Sequence, residues 1–425
     1  MKILIKGARV VDPGNKLDET MDILVEGAKV ARVAKNIQVE AQEIIAAQGK
    51  IVMPGIVDMH VHLREPGRED KETVCSGSRA ALAGGVTSIL AMPNTDPAMD
   101  SVEHIKILRE AIQKSAKNNV FICAAITKGR QGQELNDIAG LKKSGAVAVS
   151  DDGASVESDN VMLECLRAAK KEGILVVCHS EDKKLSNGGQ VNLGFTSTRL
   201  GLRGVPAESE YKRISRDIEL AEKSGASIHI AHISCKESVE IIAKAKKKGI
   251  KVTCETAPHY FTFSDEAVLG YDTNFKMNPP LRAKADVLAI RRGLADGTID
   301  VIASDHAPHT ENEKDIEFER AEFGVIGLET ELSAAVTELI GNNLLNWTKL
   351  VEKMSLNPGR ILGIGKGTLS VGADADILVV DPGKEWVVKR EKFLSKSKNS
   401  PFLNRALKGF VEYTLCNGKA HKWNS

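Results

Sequence analysis

Between Pro54 and Gly365 the chain alternates two kinds of pattern. Eight short apolar runs recur: GIVDMHVH, GVTSILAMPN, NVFICAAIT, GAVAVSDD, ILVVCHS, SIHIAHIS, KVTCETAPH and IDVIASDHAPH. Between them lie longer stretches with apolar residues at three- and four-residue spacing and lysine-rich opposite faces. The runs have the length and β-branched content of buried strands, and the intervening stretches read as amphipathic helices. VESDNVMLECLRAAKKEG, ESEYKRISRDIELAEKSG and CKESVEIIAKAKKKG each end on a glycine, a common helix stop. Eight strand–helix units predict an α/β fold built as a (β/α)8 TIM-like barrel. A doubly wound open sheet is the competing architecture. The count of eight, and the lack of G-x-G-x-x-G after any run, favour the barrel.

Both ends of the chain follow a different pattern. ILIKGARVVDP, MDILVEGAKVARVAKN and EIIAAQGKIVMPG near the start resemble ADILVVDPGKEWVV and LKGFVEYTLCNGKAHKW near the end. Each is a β-rich run with a Gly-containing turn. The expected organisation is a small β-sandwich domain built from residues 1–53 and 366–425, outside a catalytic barrel of residues 54–365. SNGGQVNLGFTSTRLGLRG, from Ser186 to Gly204, reads as a long irregular loop suited to subunit contacts. TENEKDIEFERAEFG, from Thr310 to Gly324, is highly charged and reads as a mobile lid.

The chemistry collects where the apolar runs end. The first delivers His60 and His62, one residue apart, so on a strand both imidazoles face one point. Arg64 continues the alternation and could grip a carboxylate in fork geometry. Later runs end at Asn94, at Asp151 and Asp152, at His179, at His232, at His259, and at Asp305, His306 and His309. In a barrel these ends converge on the face where active sites lie. Seven of the ten histidines sit there. His104, His229 and His421 read as structural or exposed.

A donor set of nitrogen and oxygen without thiolate suits zinc in a hydrolytic site. Six ligands exceed one tetrahedral shell, which suggests two adjacent metals sharing a carboxylate. Asp151 and Asp152 face opposite sides of a strand, so one of them binds metal. Asp305 could serve as ligand and as general base, moving a proton from water to a leaving nitrogen. Gly84 and Gly85 read as a helix end, and Lys246, Lys247 and Lys248 as a solvated one.

Composition narrows the partners. Lysine plus arginine number 58 against 57 acids, a net charge of +1, which gives no electrostatic case for nucleic acid or an anionic membrane. No apolar run reaches membrane-spanning length, and MKILIKGARVVDPG lacks the features of a signal peptide. The seven cysteines form no C-x-x-C pair and read as free thiols in a reducing cytoplasm.

DMHVHLREPG, AMPNTDP, SDDG, CHSED, AHIS, MNPPLR, SDHAPH and GVIGLET together resemble the motifs of the dihydroorotases of the amidohydrolase superfamily, most closely the bacterial class I, type I group. The resemblance runs through LNPGRILG to GADADILVVDP, nearly the whole chain. It implies reversible, zinc-dependent cyclisation of N-carbamoyl-L-aspartate to L-dihydroorotate in pyrimidine biosynthesis. It implies one or two zinc ions held by His60, His62 and Asp305 on one side and His179 and His232 on the other. Asp152 would bridge, in place of the carboxylated lysine of hydantoinases and dihydropyrimidinases; Lys128 reads as a loop residue. Substrate would meet His62, Arg64, Asn94, Asn278, His309, Phe323 and Gly324, with Asp305 as catalytic acid and base. The resemblance also implies a cytoplasmic homodimer and a possible association with aspartate transcarbamoylase. Allantoinase, hydantoinase and a non-catalytic transcarbamoylase partner are the rival readings. Arg64 and Asn94 favour a carboxylate-bearing substrate, and the full ligand set disfavours the inactive partner.

Overall fold

The structure, a computed structural model, describes residues 1–424. Each of the eight apolar runs contains a strand: Ile56–Val61, Val86–Ala91, Asn119–Ala124, Ala146–Val149, Leu175–Cys178, Ile228–Ile230, Val252–Thr256 and Val301–Ile302. They pair in parallel in chain order. A bridge between Val61 and His306, with His62 N–H donating to the His306 carbonyl at 2.9 Å, links the last run back to the first. The sheet is therefore an almost closed barrel, not an open one.

The alternation within each run sorts its side chains into two cores. Val57, Met59, Leu90, Cys123, Val177 and Val301 fill one cluster, inside the barrel. Ile56, Ile89, Ile122, Val176 and Ile228 join a larger one with the apolar stripes of the helices. This is the double burial that makes parallel strands read as continuous apolar runs. The helices begin and end as their sequences indicate. Thr73 caps Val74–Gly84 through a reciprocal bond with Ser76, and Ser158 caps Asp159–Glu172. Gly85, Gly173 and Gly225 take the left-handed conformation at helix ends. Gly84 has a further reason to be glycine: a Cβ there would lie 1.8 Å from the Leu328 carbonyl oxygen.

The strands of the two chain ends are hydrogen-bonded into one eight-stranded sheet. Ile51–Pro54 pairs antiparallel with the start of Ile377–Val387, and Ala406–Cys416 and Lys419–Lys422 extend that edge. Ile3, Ile5, Val10, Ile23, Val52, Ile377 and Leu415 give this sheet a core of its own. The stretch between its last long strands returns to the barrel, where Ser395 and Asn399 bond to Glu72 and Gly324.

Two local expectations are corrected. Ser186 to Gly204 is not irregular: Val191–Asn192 pairs with Gly204–Val205 around a short helix, Phe195–Leu200. Asn192 is buried and bonds to Asp265 and Arg282, which ties the excursion to the barrel; that anchor is distant in sequence. Lys246 is not a solvated lysine, because its Nζ donates to the Thr298 carbonyl and to Asp300. Among the described residues no helix is long and apolar enough to cross a membrane.

Candidate metal centre and active site

His60 and His62 leave the first strand where its pairing register shifts, between Asp58 and Val61. Both imidazoles point into the barrel mouth, with ring centroids 5.3 Å apart. Each has one nitrogen committed to the protein. His60 Nδ1 lies 2.7 Å from Glu255 Oε1, and Glu255 Oε2 lies 3.1 Å from His229 Nε2. His62 Nδ1 lies 2.7 Å from Asn94 Oδ1. A carboxylate or amide oxygen accepts, so both Nδ1 atoms carry the proton and both Nε2 lone pairs are free to ligate.

Asp152 sits among these nitrogens. Its Oδ1 is 3.2 Å from His60 Nε2, 3.4 Å from His179 Nδ1 and 3.5 Å from His232 Nε2. Its Oδ2 is 3.4 Å from His62 Nε2. Asp305 Oδ1 is 3.4 Å from His62 Nε2 and 3.7 Å from His60 Nε2. His179 Nδ1 and His232 Nε2 approach to 2.9 Å. Asp151 turns the other way and accepts from the Thr127 amide and hydroxyl. Lys128 is exposed and pairs with Glu134.

This arrangement fits a divalent cation. His60 Nε2 and Asp152 Oδ1 are buried, close together, and without a hydrogen bond, because their mutual geometry does not make one. Unsatisfied polar atoms this deep are costly unless an ion meets them. The donor atoms form two triplets within 4.8 Å that share His60: His60, Asp152 and His232, and His60, His62 and Asp305. The electrostatics agree. Burial pulls the His60 imidazole down, but Asp152 and Glu255 outweigh it and hold it well above its ordinary value. Burial pushes Asp152 up, and the surrounding imidazoles hold it well below the usual carboxylate range. The pocket draws positive charge.

Beside the cluster is a cavity of about 370 Å³ lined by Arg64, Asn94, Arg130, Asn278, His309 and Phe323, among others. Arg64 donates from Nε to the Pro308 carbonyl and approaches His309 Nε2 to 3.2 Å. Burial lowers its guanidinium to about 10, so it stays charged at neutral pH. Among the described residues it makes no ion pair within 4.0 Å; Asp305, Asp152 and Glu313 attract it from further away. His309 Nε2 donates to the Phe323 carbonyl at 2.9 Å, while Lys71 Nζ donates to Nδ1 at 3.1 Å. Burial and the nearby cations Arg64 and Lys71 hold His309 neutral, at about 2. Asn278 Nδ2 donates to Glu181, whose carboxylate also faces His179 Nε2 at 3.3 Å. Gly324 accepts no side chain: a Cβ would come within 2.8 Å of Ala307 and 3.0 Å of His309.

Arg64 (φ 61°), His232 (φ 33°) and Asp305 (φ 49°) all adopt left-handed backbone. Each costs about 1–3 kcal/mol, and such residues gather where side chains must be aimed. The expected ligand and substrate residues thus line one cavity, except His60, which is buried against Asp152 beside it; His306 instead meets Glu72. The sequence reading missed their supports, Glu255, Glu181 and Lys71. Asn94, expected to meet substrate, lines the cavity and also orients His62 through its side-chain oxygen, a second role that the sequence reading did not include. A glutamate inside the apolar run KVTCET was the available signal for Glu255. His229, read as structural, is buried against that same carboxylate.

The barrel and its histidine–carboxylate cluster define a hydrolase of the amidohydrolase superfamily. The dihydro-orotase-like family profile matches residues 49–238. A dihydroorotase of Elusimicrobium minutum is 53% identical over 419 residues, 99% of this chain and 97% of that one. A dihydroorotase of Geotalea daltonii is 50% identical over 424 residues, covering 99% and 100%. Among solved structures, the L-hydantoinase of Arthrobacter aurescens superimposes with a TM-score of 0.90 at 26% identity, covering 98% of this chain and 95% of that one. The dihydropyrimidinase of Brevibacillus agri shares the fold, with a TM-score of 0.88 at 24% identity over 99% and 95%. The chain belongs to the dihydroorotase family.

Proposed function

We propose that this chain interconverts L-dihydroorotate and N-carbamoyl-L-aspartate, and that the carrying observation is Arg64. It is a charged guanidinium at the mouth of a metal-type cluster, and among the described residues it makes no carboxylate ion pair within 4.0 Å, with Asp305, Asp152 and Glu313 acting on it only from a distance. A neutral cyclic amide would leave it unpaired. Dihydroorotate brings a carboxylate that ring opening does not consume, and Arg64, with the Asn94 amide and His309 beside it, is placed to receive it. Asn278 and the Phe323–Gly324 backbone would meet the ring.

His60, His62 and Asp305 would hold one zinc ion and His179 and His232 a second, with Asp152 shared between them. Metal bound there supplies Lewis acidity toward the ring carbonyl and favours ionisation of water at neutral pH. Burial raises the Asp305 carboxyl, but His62 and the other imidazoles hold it below its ordinary value, so it is ionised and able to accept a proton. In hydrolysis Asp305 takes one proton from the attacking water and passes it to the ring nitrogen as the C–N bond breaks. The new carboxyl group ionises, so net charge goes from −1 to −2 and one proton leaves. Cyclisation takes that proton back, and the open-chain to ring ratio should rise about tenfold per pH unit.

The deciding experiment compares turnover of dihydroorotate, allantoin and hydantoin, with metal content measured on the same sample. Preference for dihydroorotate supports the reading; equal or better turnover of a neutral ring refutes it. Arg64→Met should raise the KM for dihydroorotate about a hundredfold, because truncating one partner of a charge pair costs about 2–5 kcal/mol. An unchanged KM would remove Arg64 from carboxylate recognition. The reading extends to a cytoplasmic homodimer, tested by light scattering, with aspartate transcarbamoylase as a partner to seek by co-purification.

A further inference from the structure

Two lysines behind the active site make no ion pair within 4.0 Å among the described residues. Lys314 is buried on the Thr310–Gly324 segment, and Lys276 is buried just before Asn278. Lys314 Nζ donates to three carbonyls: Glu322 at 2.8 Å, Gly324 at 3.0 Å and Lys276 at 3.2 Å. Lys276 Nζ donates to the Phe318 and Glu319 carbonyls, at 2.7 and 3.1 Å, and lies 4.5 Å from the centre of the Phe323 ring.

A buried ammonium with no carboxylate is a costly way to hold a loop. Apolar packing could cover the same segment. What three N–H donors provide, and methyl groups cannot, is a fixed direction for three particular carbonyls. Two of these belong to Glu322 and Gly324, which flank Phe323. The carbonyl of Phe323 receives the His309 proton, and the Gly324 amide donates to Lys276 O at 3.0 Å. The outer side of the segment is held separately: Glu313, next to Lys314, accepts from Arg68 at 2.7 Å and pairs with Lys71 at 2.9 Å.

We propose that Lys314 is a positioning residue for the reaction. Its ammonium, seated on the Glu322, Gly324 and Lys276 carbonyls, sets the Phe323–Gly324 backbone and, through the Phe323 carbonyl, the orientation of His309. Lys276 holds the middle of the same segment from beneath. The consequence for catalysis rests on the reading that Phe323, Gly324 and His309 face the dihydroorotate ring and its carboxylate. It places the effect of Lys314 on substrate binding, at a distance from the metal ligands.

The test is Lys314→Met, with Lys276→Met as a second variant that frees the Phe318 and Glu319 carbonyls if the first does not fold. Steady-state kinetics on the metal-loaded enzyme should show KM for dihydroorotate raised at least about tenfold, with kcat within about threefold and metal content unchanged. Hydrogen exchange of the amides from 315 to 324 should accelerate at least about tenfold, and exchange in the barrel strands should not change. A KM within about twofold of the parent in a folded variant overturns the proposal. So does a fall in kcat that tracks lost metal. If the parent enzyme does not turn over dihydroorotate, the functional reading fails on its own. The exchange measurement then decides the lysine clamp, and unaccelerated exchange in that segment overturns it.

Discussion

Asp305→Asn is expected to lower kcat for dihydroorotate hydrolysis by about a thousandfold, the range for loss of a general acid–base group. Asparagine preserves the size of the side chain and one oxygen toward His60 and His62. It cannot take a proton from water at neutral pH. The carboxylate is ionised because the imidazoles around it outweigh the effect of burial, so the parent enzyme carries the base in its active form. Its backbone is left-handed, at φ 49°, a conformation that asparagine tolerates better than most residues. The substitution therefore tests chemistry more than folding. Rate and bound metal should be measured together. A loss of less than about tenfold with metal retained would give the proton transfer to another group.

His60→Ala is expected to abolish measurable turnover and to leave the purified protein with little metal. His60 is common to both triplets of ligand atoms and lies 3.2 Å from Asp152, the shared carboxylate, so its removal takes a ligand from one set and disturbs the other. It also strips Glu255 of the nearer of its two imidazole partners, leaving a carboxylate buried against His229 alone. Leaving a buried acceptor short of a hydrogen bond costs about 1–3 kcal/mol, more for a charged one, so a lower Tm should accompany the lost activity. Glu255→Gln is the graded companion. It keeps an oxygen for His60 Nδ1 but removes the charge, and metal affinity should fall about 10–100-fold, as for other supports of metal-ligating histidines. Metal analysis of dialysed samples checks both. Full metal content in His60→Ala would mean that the cluster is assembled without its first histidine.

Much of the molecule was legible without coordinates, for reasons particular to it. All eight barrel strands lie inside the apolar runs, since a strand covered on both faces has no polar alternation to blur it. Several helix ends were marked by a glycine with a mechanism, such as Gly173, left-handed at the end of Asp159–Glu172. The ligands stood out because polar residues at the ends of apolar runs are few and were histidine or aspartate. The excursion around Asn192 was misread because its order comes from Asp265 and Arg282, which follow it by more than seventy residues.

Local pattern therefore determined the strands, their order, and which side chains reach the barrel mouth, because periodicity and strand termination are properties of neighbouring residues. It also separated Asp151 from Asp152 as facing opposite ways. Closure of the barrel decided the rest. Glu255 orients His60 from 195 residues away, Lys71 reaches His309 across 238, and Asn94 meets His62 rather than only the cavity. A glutamate in an apolar strand, or a lysine in a charged loop, has no assigned partner until the chain folds. Only then does the low-dielectric interior bring Glu255 and Lys71 to their partners.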